Sequence, residues 1–360
     1  MPYCLVVAGC ACLFARSVWR RRKSVEADCP DGSPLSVVIC ACDADAATCA
    51  VNMRSVVSSL RADDSLIVVA DHVSARSLDL LRRAAAAGGG VRVGENDGLR
   101  GKKNAQRTGV RAAACDVIVS VDADCRVGGR FAEVVRRAAR ESGGNPFMLL
   151  LPVEMRGGGS LLGRLMELEF GCLQVVTAGT ALAGSPTMAN GAGMAFAKSL
   201  FEGHDSRPEY ASGDDMFLLA HALRSGATVR YLPATEAVVS SVVPPGLRAY
   251  LRQRTRWLAK AGGYRSAGII ALALVVFVAI MSWPVAAVAA ALGLAPWWSA
   301  VWIFAVKLMF DASACAAWLI FRKGWRGLKS LWLSLPLELL YPLMTVVVTC
   351  RAAVADRSEW

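Results

Sequence analysis

Two closely spaced pairs of carboxylates are the groups in this 360-residue chain with the clearest capacity for chemistry. Asp122 and Asp124 directly follow an apolar run, Val117–Val121. On an extended segment, residues i and i+2 point to the same side, so the two carboxylates could face one ion. Carboxylate oxygens are hard ligands that suit Mg²⁺ or Mn²⁺, which leave positions open for substrate phosphates. The pair therefore predicts a divalent metal site.

The second pair, Asp214 and Asp215, precedes an apolar helical pattern, and a Gly-rich segment, Ala189–Phe196, lies upstream of it. Acidic residues at a helix N-terminus are favourable in themselves. Alternatively, one of the two carboxylates is a general base that takes a proton from an attacking group. The Gly-rich segment is either a plain turn or a place where a sugar comes close to the backbone. The residues alone leave these alternatives open.

A third group, Gln253, Arg256 and Trp257, lies just before a long apolar segment. Arg and Trp are common anchors at a membrane–water interface. Arg can also bind a diphosphate, and Trp can stack on the face of a sugar. Under either interpretation, this group lies beside a membrane.

Alternating strands and helices are predicted to position these groups. Buried strands are expected at Ser36–Cys40, Leu66–Ala70, Val91–Val93 and Val117–Val121, and helices near Ala46–Leu60, Arg76–Ala87 and Asn104–Ala114. Strands separated by helices imply parallel pairing in a doubly wound α/β sheet, whose ligands bind at the carboxyl ends of the strands. Asp43, Asp71 and the Asp122/Asp124 pair follow three of those ends, so we expect them to converge on one site.

The composition indicates a protein with a membrane portion. Hydrophobic residues make up 55% of the chain, charged residues 19%, and the mean hydropathy is +0.41. Soluble domains average about 25% charged residues, so these values exclude disorder and argue against a wholly soluble protein. The net charge of +11 lies largely at membrane boundaries and near the acidic groups, and we expect no nucleic-acid partner. The twelve cysteines include no C-x-x-C pair and are expected to be reduced thiols.

Four apolar segments are expected to lie in or on the membrane. The first, residues 3–19, is followed by the basic cluster Arg20–Lys23, whereas a secretory signal carries its charges in front. The positive-inside rule then places residues from 20 onward in the cytoplasm; an interfacial helix is the alternative. The basic link Arg322–Lys329 is expected on the same side. The other three segments, each able to span about 30 Å of hydrocarbon, are Ala267–Leu294, Trp298–Phe321 and Leu331–Cys350.

Several polar or unusual residues interrupt the C-terminal segments. Pro284, after Trp283, could kink the first segment or split it. Lys307 and Asp311 are four residues apart and can pair, and Glu338 lies in the last segment. Because charges in hydrocarbon are unfavourable, these groups either neutralise one another or contact a lipid head group or a sugar hydroxyl.

The order of these motifs resembles that of the family 2 glycosyltransferases. Along the chain come a strand-end Asp, Asp71, the basic segment Gly101–Ala105, D-x-D, G-x-G-M-A-F, D-D-x-x-L and Q-x-x-R-W. The chain is similar in particular to the membrane-bound branch that includes cellulose, hyaluronan and chitin synthases and the ceramide glucosyltransferases. The resemblance covers roughly residues 35–260. It implies an α/β fold of the GT-A type, in which a Rossmann-like nucleotide-binding half is joined to an acceptor-binding half.

The resemblance also implies a nucleotide-sugar site. Asp71 matches the acid that contacts the nucleotide base and ribose, and Lys102 or Lys103 matches a basic position near the nucleotide. Where the family usually has an acidic pair after the first strand, this chain has Asp43 and Asp45. Either of these two could make the contact there.

Metal and catalytic roles follow from the same resemblance. Asp122 and Asp124 match the metal-binding D-x-D, in which Mn²⁺ or Mg²⁺ bridges the diphosphate. Asp215, beside Asp214, matches the general base. The residues that match the Q-x-x-R-W motif, which closes over diphosphate and acceptor, are Gln253, Arg256 and Trp257.

The function that the resemblance implies is a membrane-bound, metal-dependent, inverting glycosyltransferase. It would move a hexosyl or N-acetylhexosaminyl group from a nucleotide sugar, expected to be a UDP-sugar, to a lipid acceptor. A processive polysaccharide synthase with a glycan acceptor and a non-catalytic glycosyltransferase-like subunit are the alternatives. We expect an anchor at 1–23, a GT-A catalytic domain at 35–245, an interfacial segment at 246–266 and transmembrane helices at 267–351. The expected location is a bacterial inner or plasma membrane, with membrane lipids as partners and the catalytic domain in the cytoplasm.

Overall fold

The computed structural model describes residues 2–24, 32–88, 90–204, 213–259 and 267–354. Residues 260–266 of the expected interfacial segment lie outside these ranges. The strands are β1 (Leu35–Ala41), β2 (Ser65–Ala70), β3 (Val91–Glu95), β4 (Val117–Val121), β5 (Phe147–Leu150), β6 (Val153–Arg156), β7 (Gly193–Ala197), β8 (Thr228–Tyr231) and β9 (Val239–Val242). The helices are α1 (Pro2–Ser24), α2 (Ala46–Val57), α3 (Ala75–Ala86), α4 (Lys102–Ala112), α5 (Phe131–Arg140), α6 (Leu161–Leu182), α7 (Lys198–Phe201), α8 (Asp214–Arg224), α9 (Leu247–Ala259), α10 (Ala267–Ala291), α11 (Trp297–Lys323) and α12 (Ser334–Val354).

The chain divides into two compact units, each of which has its own core. The sheet unit comprises residues 20–154 and 188–242 of the described chain. The helical unit comprises residues 2–19, 155–187 and 243–354 of the described chain. The predicted strands and acidic pairs belong to the sheet unit, and the long apolar helices belong to the helical unit.

A seven-stranded sheet forms the core of the sheet unit, in the order β3-β2-β1-β4-β7-β5-β8. The pairs β1–β2, β2–β3, β1–β4 and β5–β8 are parallel, while β7 runs antiparallel to β4 and β5. The expected parallel pairing is therefore correct for the four predicted strands, β1 to β4. The antiparallel β7, for which no pairing was predicted from the sequence, makes the sheet mixed. Between β5 and β7 the chain passes through β6 and α6 instead of one crossover helix. A single helical crossover joins parallel strands, so the prediction of parallel pairing does not extend to β5 and β7.

The central strands read as continuous apolar runs because both faces of the sheet are covered. All residues of β4 and nearly all of β1 and β2 are buried. Since β1, β2 and β4 are parallel, their carboxyl ends lie at one edge of the sheet. Asp43, Asp71 and Asp122 follow these three ends. The antiparallel β7 begins at the same edge, which brings the end of the Gly-rich segment there.

Helix α4, whose first residue is Lys102, packs very closely on the sheet. A Cβ atom at Gly109 would lie 2.4 Å from Cγ1 of Val38 and 3.1 Å from Cγ2 of Val69. Only glycine permits this approach without a shift of the strand side chains.

Gly109→Ala is therefore expected to destabilise the sheet unit by about 1–3 kcal/mol through overpacking, although alanine is the better helix former by about 1 kcal/mol. The measurement is the apparent unfolding temperature of the purified protein in detergent. Gly94→Ala is the matched control, because a Cβ at Gly94 meets no atom within 4 Å. Equal unfolding temperatures for the two variants would show that the α4 contact tolerates a methyl group.

Four segments within the described residues are long and apolar enough to cross a membrane. They are Pro2–Arg21, Leu161–Leu182, Ile270–Ala291 and the run Trp297–Val354, which contains α11, a 3₁₀ segment at Gly324–Leu333 and α12. The N-terminal segment and the C-terminal helices agree with the predicted ones. Helix α10 continues through Pro284, so the Trp283-Pro284 step does not split it. Helix α6 was not expected among them, and most of it is buried in the protein.

Small residues allow close helix packing in the helical unit. A Cβ at Gly179 of α6 would lie 2.3 Å from Cα of Cys10 in α1, and one at Gly171 would lie 2.1 Å from Cδ1 of Trp318 in α11. The Phe14 ring of α1 stacks on Trp318 at 6.4 Å between centroids. Helix α6 is thus enclosed between α1 and α11, as small residues at helix interfaces permit. The cysteines in the described ranges are free thiols.

The charges in the C-terminal helices neutralise one another. Nζ of Lys307 lies 2.6 Å from Oδ2 of Asp311 and 2.9 Å from Oε1 of Glu338. The Tyr3 hydroxyl of α1 also donates to Asp311, at 2.6 Å. Lys307 and Glu338 are each 4% exposed, so the interpretation as mutual neutralisation is confirmed.

Candidate active site

Three charged side chains from three elements form the centre of the candidate site in the sheet unit. Asp122 follows β4, Lys102 begins α4, and Asp214 begins α8. Nζ of Lys102 lies 2.7 Å from Oδ1 of Asp122 and 3.6 Å from Oδ2 of Asp214. Partial burial lowers the pKa of Lys102, but the two carboxylates raise it by more, so this pKa lies well above its ordinary value. The ammonium group therefore stays charged and links the two acids.

The two adjacent lysines have different environments. Nζ of Lys102 contacts the acidic cluster, whereas Lys103 is buried, with Nζ 4.8 Å from the ring centroid of Phe217. Sequence reasoning left open which of the two matches the basic position near the nucleotide. Of the two, Lys102 is the one that lies at the strand-end edge with Asp122.

Gly191, from the Gly-rich segment, lies directly against this cluster. A Cβ there would be 3.2 Å from Oδ2 of Asp214 and 3.3 Å from Nζ of Lys102. Its N–H donates to Oδ2 of Asp215 at 3.1 Å, and the N–H of Met216 donates to Oδ1 at 2.8 Å. The half-buried Asp215 carboxylate is thus held beside the Lys102 cluster. Because α8 begins at Asp214, the interpretation of this pair as a helix N-terminus is confirmed, while the role of a general base stays a prediction.

The D-x-D segment forms a turn and not the extended segment that we expected. The N–H of Cys125 donates to the carbonyl of Asp122 at 3.0 Å, which closes the chain on itself after β4. Asp122 faces Lys102, while Oδ2 of Asp124 accepts a hydrogen bond from the Ser241 hydroxyl at 2.7 Å. Burial raises the pKa of Asp122 above its ordinary value, and the nearby charge of Asp124 adds to the rise.

The donor chemistry of this pair fits a divalent ion. The Asp122 side chain is 32% exposed, and both residues offer the hard oxygens that Mg²⁺ and Mn²⁺ prefer. Among the described residues no group of three or more His, Cys, Asp or Glu side chains could hold an ion. Mg²⁺ is usually bound by one or two protein carboxylates, and substrate phosphates complete its coordination. Asp122 and Asp124 would supply the protein side of such a site.

Asp71, at the end of β2, is held by a set of hydrogen bonds. Nδ2 of Asn96 donates to its Oδ1 at 2.7 Å, and the N–H of Gly101 donates to Oδ2 at 2.9 Å. Nδ1 of His72 lies 3.1 Å from Oδ1. Burial alone would raise the pKa of Asp71, but these bonds outweigh it, so the pKa lies below its ordinary value. Asp71 is therefore a fixed, ionised acceptor at neutral pH.

The two acids after β1 differ in exposure and partners. Oδ1 of the exposed Asp43 accepts hydrogen bonds from the N–H and the hydroxyl of Ser74, both at 2.9 Å. The N–H of Ser74 contributes most to lowering the pKa of Asp43. Oδ2 of Asp45 accepts from the Cys42 thiol at 3.1 Å. Asp43 is thus tied to the loop after β2, while Asp45 makes a local contact before α2.

The Q-x-x-R-W residues lie on α9, in the helical unit. Arg256 is exposed, whereas Gln253 and Trp257 are half-buried. The Trp257 ring lies 6.0 Å from the Phe170 ring of α6, between centroids. Arg254, inside the motif, is buried and paired with Glu169 of α6.

Sequence reasoning missed several residues of these arrangements. Asn96 follows β3 and is therefore a fourth polar residue at a strand end, so the rule that identified Asp71 could have found it. Ser241 gives no such signal in the local sequence, because its partner Asp124 is more than a hundred residues away. Glu169 lies in an apolar helical run, where its charge was the only indication of a partner.

Comparisons with known proteins identify a family and proteins of similar fold. A family model described as "Glycosyltransferase like family 2" matches residues 30–259. The structure is similar to the mannosyltransferase PcManGT from Pyrobaculum calidifontis in complex with GDP-Man and Mn²⁺, with a TM-score of 0.54, 17% identity, and coverage of 98% of this chain and 99% of that chain. It is also similar to GalNAc-T7 with UDP, GalNAc and Mn²⁺, with a TM-score of 0.45, 16% identity, and coverage of 63% and 49%. A search of curated proteins gives no significant match.

Proposed function

The chain belongs to glycosyltransferase-like family 2 and is a nucleotide-sugar-dependent enzyme with an α/β GT-A fold, and we propose that it transfers a single sugar to a lipid at a membrane. The observation that carries this proposal is the cluster at the strand ends, where Lys102 contacts Asp122 and Asp214 beside Asp215. Membership of the family supplies the donor class. The cluster supplies the charged groups that the transfer requires.

The side chains of the cluster have separate roles in the proposed transfer. Asp122 and Asp124 would hold Mn²⁺ or Mg²⁺, which would supply positive charge against the leaving nucleoside diphosphate. Lys102 places a fixed positive charge beside Asp122 and Asp214. Asp215 accepts the proton of the acceptor hydroxyl as its oxygen bonds to the anomeric carbon and the bond from that carbon to the diphosphate oxygen breaks. This is a single displacement with inversion, without a covalent enzyme intermediate.

Donor and acceptor contacts are assigned from the motifs. We propose that Asp71, which is held ionised, and the exposed Asp43 contact the nucleotide. Arg256 is exposed and its guanidinium can bind a diphosphate, and the half-buried Trp257 offers a ring for a sugar face.

The helical unit supports a lipid acceptor and a membrane location. Its apolar segments are long enough to span a bilayer, and the basic residues after position 19 favour a cytoplasmic sheet unit by the positive-inside rule. The described residues hold three C-terminal apolar helices, few for the channel of a processive synthase, so that function is the second candidate. The intact acidic pairs, Asp122/Asp124 and Asp214/Asp215, argue against a non-catalytic subunit.

The test is the release of nucleoside diphosphate by the purified protein in detergent. A panel of UDP-sugars together with GDP-mannose is assayed with Mn²⁺ or Mg²⁺, with and without a membrane lipid extract. We expect release from one donor and a clear increase with lipid. Release that needs no lipid and yields polymer would indicate the synthase. Tight nucleotide binding without release from any donor would contradict the proposed transfer.

A further inference from the structure

A buried ion pair in the helical unit identifies a positioning residue beside the Q-x-x-R-W side chains. We propose that Arg254, paired with Glu169, fixes the orientation of the Trp257 ring and so presents that ring to the substrate. The inference rests on the proposed function, in which the Trp257 ring contacts the face of a sugar.

The pair connects α9 to α6 through two buried charges. Arg254 is 6% exposed and Glu169 is 4% exposed. Nη2 of Arg254 donates to Oε2 of Glu169. A buried charge that loses its partner is strongly unfavourable, so neither side chain can leave this contact without disturbing the helix pair.

Aromatic rings surround the rest of the guanidinium group. Its Cζ lies 4.2 Å from the Trp257 ring centroid, 4.9 Å from that of Tyr250 and 5.8 Å from that of Phe170. Nε and Nη1 are buried and have no hydrogen-bond partner within the described ranges. Besides its bond to Glu169, the planar cation therefore lies against these aromatic rings, and the Trp257 ring is the nearest of them.

Burial separates the role of Arg254 from that of its neighbours on α9. Arg252 and Arg256 are exposed and can meet a ligand, whereas Arg254 cannot. Trp257 is half-buried, with its ring beside Arg254 and Phe170, so the residue is held in place and is still partly accessible. The Trp257 ring is therefore preorganised for binding, and Arg254 acts on the substrate only through this ring.

The first test reads the environment of Trp257 without using activity. The full-length protein in detergent is labelled with fluorinated tryptophan, and the fluorine resonance that disappears in Trp257→Phe is assigned to Trp257. We expect Arg254→Lys and Glu169→Gln to move this resonance, because the planar cation no longer lies over the ring, and Arg252→Lys to leave it in place. If a single variant folds poorly, Glu169→Gln combined with Arg254→Met removes both charges together and gives the same reading. An unmoved resonance would overturn the proposal.

The second test asks whether Arg254 acts only through the ring. We expect Arg254→Lys to lower kcat/KM by about 10- to 100-fold in the wild-type background, as a small misplacement of a binding group does. In a Trp257→Phe background the further loss of kcat/KM should be less than about twofold, since the effects of substituting two interacting residues are not additive. Equal losses in both backgrounds would overturn the proposal. If the wild-type protein transfers no sugar, only the proposed function is contradicted. The fluorine resonance still tests the role of Arg254.

Discussion

Asp215→Asn is expected to lower the turnover number for sugar transfer by about 10²- to 10⁴-fold, the usual contribution of a general base. The amide oxygen of Asn can still accept a hydrogen bond from the N–H of Gly191 or Met216, as the carboxylate does. It cannot take the proton of the acceptor hydroxyl. Donor binding should therefore stay close to that of the wild type, and the measurement pairs turnover with calorimetric binding of the nucleotide sugar.

Asp79→Asn is the matched control for Asp215→Asn. Asp79 is an exposed carboxylate on α3 that pairs with Arg83, so the same chemical change is made away from the cluster. We expect this variant to retain full turnover. If Asp215→Asn keeps near wild-type turnover, or if Asp214→Asn shows the larger loss, the assignment of the base to Asp215 is contradicted.

Removal of the divalent ion by a chelator is expected to reduce transfer on the order of 10³-fold, because a bound metal contributes several kcal/mol of charge stabilisation. Added Mn²⁺ or Mg²⁺ should restore the rate in the wild type and not in Asp124→Asn. The Lys102 charge remains beside Asp122 in all of these samples, so the comparison isolates the contribution of the ion. Full transfer in the presence of the chelator would contradict the metal role of the pair.

Ser241 offers a finer probe of the same site. Its hydroxyl donates to Oδ2 of Asp124 at 2.7 Å, and loss of such a supporting contact weakens metal binding by about 10- to 100-fold. We therefore expect Ser241→Ala to raise the Mn²⁺ concentration that gives half-maximal activity. Electron paramagnetic resonance of unbound Mn²⁺ in the presence of nucleoside diphosphate measures the affinity directly. Ser240→Ala is the control, because the Ser240 hydroxyl donates to Glu154 instead.

The sequence was sufficient to predict the core of the sheet and the acids at its edge. Apolar runs of strand length separated by helical patterns have one main solution, a covered parallel sheet, and β1–β4 follow it. Asp43, Asp71 and Asp122 then lie at one edge because parallel strands end together. Two separate signals, strand periodicity and acidic residues after each strand, therefore support the same prediction.

The parts that sequence reasoning missed depend on contacts between distant segments. The direction of β7 follows from a connection through β6 and α6, which no local pattern reveals. The D-x-D turn is closed by a backbone hydrogen bond from Cys125, and its second acid is held by Ser241 from β9. The pairing of Arg254 with Glu169 spans 85 positions of the chain. Local propensity carries no information about such partners.

The most direct test of the proposed function is the fate of a radiolabelled sugar. The donor that supports nucleoside diphosphate release is supplied in labelled form to the wild type, Asp215→Asn and Asp79→Asn, together with membrane lipid extract. We expect labelled sugar in the organic phase for the wild type and Asp79→Asn, and almost none for Asp215→Asn. Label found in insoluble polymer, or a lipid product formed equally well by Asp215→Asn, would contradict the proposed function.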